Sequence, residues 1–214
     1  MFTGFSPEAI DFLWGIRFNN NREWFSAHKQ QYQDALYAPM KEMAAEFAAA
    51  FSHLDGMQMK LSRIYRDMRM NPATPYKESL WWCLRRTGGD WAQEPSLFFE
   101  ITPETYAYGF LYIAPKAATL ERYRKLLAEK PDEFPQIVEK AQRETGISLT
   151  GDSYSRKKPC ADARLAPYYN LKNIFLYHRR ENDALLFSRE VVQEVKKTLD
   201  ALVPLVAFCQ KFAY

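Results

Sequence analysis

The stretch that decides the fold is LFFEITPETYAYGFLYI, residues 97–113. Two apolar, aromatic-rich segments, 97–101 and 106–113, flank the four residues Thr-Pro-Glu-Thr at 102–105. Such runs joined by a short turn are typical of a β-hairpin. Outside the hairpin, apolar patterns predict a strand from Met57 through Leu61 and, with a slip in the alternation, to Ile64, and short strands at 149–154 and 174–177; residues 80–84 form another apolar run. Short connections between strands favour an antiparallel sheet.

Helical patterns precede the strands. Ser6-Pro7-Glu8 has the residues of a helix start, namely an N-cap, a first-turn proline and a first-turn acid. Asn20 and Glu23 have the spacing of a capping box, which predicts a second helix from about Arg22. Residues 40–51 are rich in alanine, with large apolar residues at four-residue steps, and they predict a further helix.

Further helices are predicted after the hairpin, at 121–128 and 134–143, with Gly146 beyond the end of the second. A last long helix is predicted from Ser188 onward. We therefore predict an α+β fold in a single domain, 1–214, with a largely antiparallel twisted sheet flanked by N- and C-terminal helices. Its parts are a helical segment at 1–55, a mixed strand and helix core at 56–180, and the C-terminal helix at 188–214.

Composition excludes several classes of protein. Of 214 residues, 47% are hydrophobic and 26% charged, so wholesale disorder is excluded. The longest run without a charged residue, 105–115, has 11 residues, whereas a membrane-spanning helix needs about 20. The N-terminus does not resemble a secretory signal, and Cys83, Cys160 and Cys209 form no metal or redox motif. We expect a cytoplasmic protein with no membrane partner, no metal and no cofactor.

Positive charge is concentrated in two segments, although the net charge is only +3. Residues 60–90 hold seven basic and three acidic residues, and residues 156–180 hold seven basic and one acidic residue. Two interpretations fit this distribution. The segments are either two solvated surfaces or two contributors to one anion-binding site.

The richest local motif is RIYRDMR at 63–69, followed by TPYK at 74–77. In an extended chain alternate residues share a face, which would turn Arg63, Tyr65, Asp67 and Arg69 one way and Arg66 the other. A guanidinium group binds a carboxylate or phosphate through two parallel hydrogen bonds, while a tyrosine hydroxyl can donate to the same anion. The predicted ligand-binding residues are Arg63, Tyr65, Arg66, Asp67, Arg69, Tyr76 and Lys77, and no catalytic residue is assigned.

Three hypotheses follow from this cluster. The first is a site for a phosphate- or carboxylate-bearing small molecule, with or without catalysis. The second is a non-enzymatic interaction or scaffold domain in which the Arg–Asp network only stabilises the fold. The third is a weak nucleic-acid binder, based on Lys157-Lys158 near Tyr154 and Tyr168-Tyr169. The third is disfavoured, because the net charge is small and no known nucleic-acid-binding module is present.

Several motifs together resemble a known protein family. They are Asn19-Asn20-Asn21-Arg22-Glu23-Trp24-Phe25 with His28-Lys29 and Tyr32, Arg63-x-x-Arg66-Asp67-x-Arg69, Thr74-Pro75-Tyr76-Lys77, Phe98-Phe99, Thr102-Pro103 and Lys157-Lys158-Pro159. The chain resembles the widespread microbial family called domain of unknown function 2461. The resemblance covers most of the chain and implies a shared fold, but no particular activity.

The chain departs from the family pattern at one point. Relatives continue after the arginines as R-F-x-x-D-K-T-P-Y-K, whereas this chain has RMNPA at 69–73 before TPYK. The connection is one residue shorter, Met70 replaces the phenylalanine, and the Asp-Lys pair is absent. If the missing lysine serves chemistry in relatives, this chain lacks that group; if it only anchors the loop, Pro72 can take its place by stiffening the chain.

Overall fold

The described strands form a single β-sheet. The computed structural model describes residues 1–70, 73–86 and 91–213. Over these residues it has one antiparallel five-stranded sheet in the order β1-β2-β3-β4-β5, so that strands adjacent in the chain are adjacent in the sheet. The strands are β1 (Met57–Leu61), β2 (Leu80–Arg86), β3 (Ser96–Ile101), β4 (Thr105–Tyr112) and β5 (Ile174–Glu181). The hairpin predicted at 97–113 is confirmed as β3 and β4.

Helices lie before β1, between β4 and β5, and after β5. The helices are α1 (Pro7–Phe18), α2 (Arg22–Ala27), α3 (Lys29–Gln31), α4 (Ala38–Ala50), α5 (Ala117–Glu129), α6 (Glu133–Thr145), α7 (Ala166–Tyr169) and α8 (Glu190–Ala213). A π-helical segment, Tyr32–Tyr37, joins α3 to α4. Gly146 ends α6 in the left-handed conformation, with φ of 73°, as its sequence position predicts. The predicted α+β fold, with flanking N- and C-terminal helices, is confirmed.

The strand predicted at 149–154 is wrong. Among the described residues this segment forms isolated bridges and no strand, with Thr150 bridged to Phe175 and Ser153 to Leu171. Side-chain amides take the place of a regular ladder, because Asn173 Oδ1 accepts a hydrogen bond from Asp152 N at 2.7 Å. Residues 149–154 therefore form an irregular segment.

Tertiary contacts divide the chain into two compact units. The first consists of Met1–Leu84, Phe98–Ala107 and Arg179–Lys196, and the second of Arg85–Leu97, Tyr108–His178 and Lys197–Tyr214. A single domain over 1–214 stays a prediction. In the first unit the Trp82 ring lies 4.9 Å from Phe47 and 6.0 Å from Phe99. In the second unit the Phe134 ring lies 5.6 Å from Tyr123 and 5.0 Å from Phe208. Each unit thus has its own aromatic core.

No helix in the described ranges has both the length and the apolar composition that crossing a bilayer requires.

Candidate functional site

Two short segments of the predicted motif are joined by backbone hydrogen bonds. Arg66 N donates to Pro75 O at 2.8 Å, and Lys77 N donates to Ile64 O at 2.7 Å. Tyr65 and Tyr76 form an antiparallel bridge between these two bonds. Because side chains alternate along extended chains, Arg66 and Lys77 share the face opposite the two tyrosines.

Asn20 holds this paired segment from the N-terminal helices. Its side-chain amide donates to Tyr76 O and its side-chain oxygen accepts from Tyr76 N, each at 3.0 Å. The prediction that Asn20 caps α2 is wrong, because the cap is Asn21, whose Oδ1 accepts from Trp24 N at 2.9 Å. The Phe25 ring of α2 stacks on Tyr76 at 4.2 Å. Lys77 therefore follows a residue that is fixed through both its backbone and its ring.

Next to this segment, the first unit has a cavity of about 480 Å³. It is lined by four basic, three acidic and three hydroxyl-bearing residues. They are Arg17, Arg66, Lys77, Arg179, Glu78, Glu100, Glu104, Ser79, Thr102 and Thr105. The cavity therefore has a formal excess of one positive charge.

Arg17 forms hydrogen bonds with two of the three carboxylates. Its Nε donates to Glu78 Oε2 at 2.6 Å, and its terminal nitrogens donate to Glu104. The hydrogen bond with Glu104, and after it that with Glu78, raises the pKa of Arg17. The same contact lowers the pKa of Glu104. Glu78 and Glu104 thus share the Arg17 guanidinium, and neither forms an ion pair with Lys77 in the described part of the chain.

Lys77 is the most unusual cation in the cavity. Its side chain is half-buried, and its ammonium lies 5.7 Å from the centroid of the Trp81 ring. Over the residues described, the ammonium has no hydrogen bond and no ion pair. Burial, and then the neighbouring Arg66 charge, lower the pKa of Lys77. A cation that is partly withdrawn from water without a partner is placed to bind an anion.

Of the seven predicted ligand-binding residues, Arg66 and Lys77 line the cavity. Arg66 is shared between the cavity and its own loop, since its Nη1 donates to Thr74 Oγ1 at 3.0 Å and its Nη2 lies 3.9 Å from Glu78 Oε1. Arg63 is exposed and is not a lining residue. The face predicted to carry the arginines is therefore not the face that borders the cavity.

The other four predicted residues lie outside the cavity lining. Arg69 pairs with Asp67 at 2.7 Å on the surface, and this hydrogen bond lowers the pKa of Asp67. Tyr65 is 54% exposed and its ring packs against Tyr76 at 5.5 Å, while Tyr76 itself is buried. The shortened connection between Met70 and Ala73 falls on residues 71 and 72, outside the described residues.

Arg17, Glu100 and Arg179 complete the cavity, and the motif-based prediction did not include them. Arg179 belongs to the basic segment 156–180, so this segment does contribute one residue to the same cavity as Arg66 and Lys77. Other basic residues of that segment pair elsewhere, with Arg164 2.6 Å from Asp132 and Lys158 3.9 Å from Glu121. One signal was visible in the sequence, since Glu100 is a single charged residue within an apolar strand.

The second unit has a cavity of about the same volume, 480 Å³, with different chemistry. Its lining, which includes Gln142, Ser148, Thr150 and Tyr168, has no charged side chain. Within the ranges described, no group of three or more His, Cys, Asp or Glu side chains could hold a metal ion. The charged cavity of the first unit is therefore the stronger candidate for a functional site.

Comparison with known families matches residues 8–208 to a family described as conserved hypothetical protein (DUF2461). A comparison with curated proteins finds no match. The match covers most of the 214 residues, including every residue that lines the charged cavity. The chain therefore belongs to the DUF2461 family of conserved hypothetical proteins.

Proposed function

We propose that the protein binds a small molecule bearing a phosphate or carboxylate group in the charged cavity of the first unit. The Lys77 ammonium and the Arg66 guanidinium are the main groups that bind it, and Arg179 lies at the exposed edge of the cavity. The observation that carries the proposal is the half-buried Lys77 ammonium, which has no polar partner in the described chain. Withdrawing a charge from water is unfavourable unless a counter-charge is supplied, and a bound anion supplies it.

Arg17 supports the proposal indirectly. Without its bonds to Glu78 and Glu104, two more uncompensated carboxylates would face the cavity and repel an anion. Arg17 also lies between the two acids, which fixes the shape of the cavity at that side. We therefore assign Arg17 the role of a positioning residue and Lys77 and Arg66 the role of ligand-binding residues.

Thermal denaturation with a panel of phosphates, nucleotides and carboxylates tests the proposal. A ligand at 100 times its Kd adds about 2.7 kcal/mol of stability, which for a chain of this length raises the melting midpoint by about 5–11 °C. Lys77→Met and Arg66→Ala should each lose about half of that shift or more, because each removes a charged hydrogen bond that contributes about tenfold or more in affinity.

Arg69→Ala is the matched control, because it removes a neighbouring arginine of the same loop that does not line the cavity. It should keep the full ligand-induced shift. Each variant is compared with its own midpoint in the absence of ligand. A panel that shifts no midpoint, or shifts all four proteins equally, would overturn the proposal.

One observation favours the alternative of a non-enzymatic interaction or scaffold domain. Arg66 donates to Thr74 across its loop, and Arg69 closes a turn with Asp67, so part of the arginine motif has a structural role. Under this alternative, Arg66→Ala lowers the free energy of unfolding by about 1 kcal/mol or more. It also predicts that wild type responds to no anion.

A further inference from the structure

The charged cavity contains a second side chain without a polar partner, and its charge is opposite to that of Lys77. Glu100 is half-buried on β3, where the other five residues, Ser96 to Phe99 and Ile101, are buried. Over the described ranges its carboxylate has no hydrogen bond and no ion pair. A partly buried carboxylate on an otherwise buried strand is costly to keep unless something binds it.

Glu100 and Lys77 line the same cavity but do not pair with each other. Both side chains belong to the lining, yet no direct ion pair joins them in the described part of the chain. Glu100 acts on Lys77 only through space, by favouring the protonated ammonium. The neighbouring side chains Arg66 and Glu78 already have hydrogen-bond partners, because Arg66 donates to Thr74 and Glu78 accepts from Arg17. Lys77 and Glu100 thus offer one positive and one negative side chain without a polar partner in the described part of the chain, and they lie farther apart than an ion pair.

We propose that the ligand of this cavity is zwitterionic, with an anionic group bound by Lys77 and Arg66 and a protonated amine bound by Glu100. The inference rests on the anion site proposed above and adds the second half of the ligand. A purely anionic molecule would leave Glu100 unpartnered and close to its own negative charge. A molecule with an amine a few bonds away from its anionic group would pair both available side chains at once.

Two matched pairs of probes separate the inference from the anion site itself. The pairs are O-phosphoethanolamine with ethyl phosphate, and β-alanine with propionate, which differ within each pair by the amine. Calorimetric titration of wild type should give at least tenfold tighter binding of the amine-bearing member in one pair, the gain expected of one charged hydrogen bond. Glu100→Gln should remove that preference and leave the affinity for the anion-only probe unchanged or higher.

Asp67→Asn is the matched control, since it makes the same acid-to-amide change on a surface residue that does not line the cavity. It should keep the preference for the amine. Thermal denaturation of each variant checks that it is folded, and Glu100→Asp, which retains the carboxylate, should recover part of the preference.

Equal affinity for both members of each pair in wild type would overturn the inference while leaving anion binding intact. A preference for the amine that persists in Glu100→Gln would also overturn it. If wild type binds none of the four probes, the inference fails, and the anion site is judged separately by the response to the wider panel.

Discussion

Replacing Lys77 with methionine distinguishes a ligand-binding lysine from one that holds the fold together. Methionine keeps an unbranched apolar side chain of similar length and removes only the charge. In the folded chain the ammonium is half-buried, and burial together with Arg66 lowers its pKa below the ordinary 10.5. A lysine whose pKa falls on folding opposes folding at neutral pH, so its removal should not lower the free energy of unfolding.

The contact of the Lys77 ammonium with Trp81 acts in the opposite direction and stabilises the wild-type fold. A cation at 5.7 Å from the ring centroid contributes about 0.5–1 kcal/mol at a partly exposed site. A methionine sulfur against the same ring contributes a similar amount, about 0.3–1.5 kcal/mol. The lost lysine contact and the gained methionine contact nearly cancel, so the removal of the half-buried charge decides the sign of the change in the free energy of unfolding. Lys77→Met should therefore melt at or above the wild-type midpoint while losing affinity for anions.

The dependence on pH provides an internal check. Between the lowered pKa of folded Lys77 and 10.5, the unfolded chain binds more protons than the folded chain, so wild-type stability should rise with pH in that window. Lys77→Met lacks this contribution, and the stability difference between the two proteins should shrink as pH approaches 10.5. Urea denaturation followed by circular dichroism from pH 7 to 10 measures both effects. A loss of about 1 kcal/mol or more in Lys77→Met at pH 7, equivalent to a midpoint about 2–4 °C lower, would show instead that Lys77 stabilises the fold.

Three other substitutions test the fold by thermal denaturation. Gly109→Ala should destabilise the fold by about 1–3 kcal/mol, because Gly109 has a φ of 152° and an added Cβ would overlap Leu176 O on β5. A midpoint within 1 °C of wild type, which is less than about 1 kcal/mol, would contradict the close approach of Gly109 to β5. Arg69→Ala removes only an exposed ion pair and should leave the midpoint unchanged, and a clear decrease would place Arg69 in the stabilising network. The hydrogen bond with Arg189 is the main cause of the lowered pKa of Glu46. The contribution of Glu46 to the free energy of unfolding should therefore be present above pH 4.5 and be lost as pH falls through the lower folded value. In Glu46→Gln this loss of stability in acid should be smaller, and identical acid profiles would count against the Glu46–Arg189 ion pair.

Local signals in the sequence predicted most of the architecture. The hairpin 97–113 could be predicted because its two apolar runs and its turn lie within 17 consecutive residues. Gly146 marked the end of α6 for the same reason. The strand prediction for 149–154 was wrong because the groups that shape this segment lie about 20 residues away, where Asn173 Oδ1 accepts from Asp152 N and the backbone oxygen of Asn170 accepts from Tyr154 N. Side-chain hydrogen bonds of this kind leave no periodic pattern.

The site could be predicted only in part. Arg66 and Lys77 were identified because they lie in one compact motif, but their neighbours Arg63 and Arg69 are on the surface, and the sequence pattern does not distinguish the two environments. Arg17 reaches the cavity from α1, 61 positions before its partner Glu78. Contacts at this separation depend on how the helices and the sheet pack, which one sequence does not show.

The most direct test of the anion site is diffraction from crystals soaked in selenate, a phosphate-like anion whose selenium is located by its anomalous signal. We expect a selenium peak in the cavity within hydrogen-bond reach of the Lys77 ammonium and the Arg66 guanidinium, and no such peak in crystals of Lys77→Met. A cavity without selenate, in crystals where the anion does bind exposed arginines such as Arg69, would contradict it.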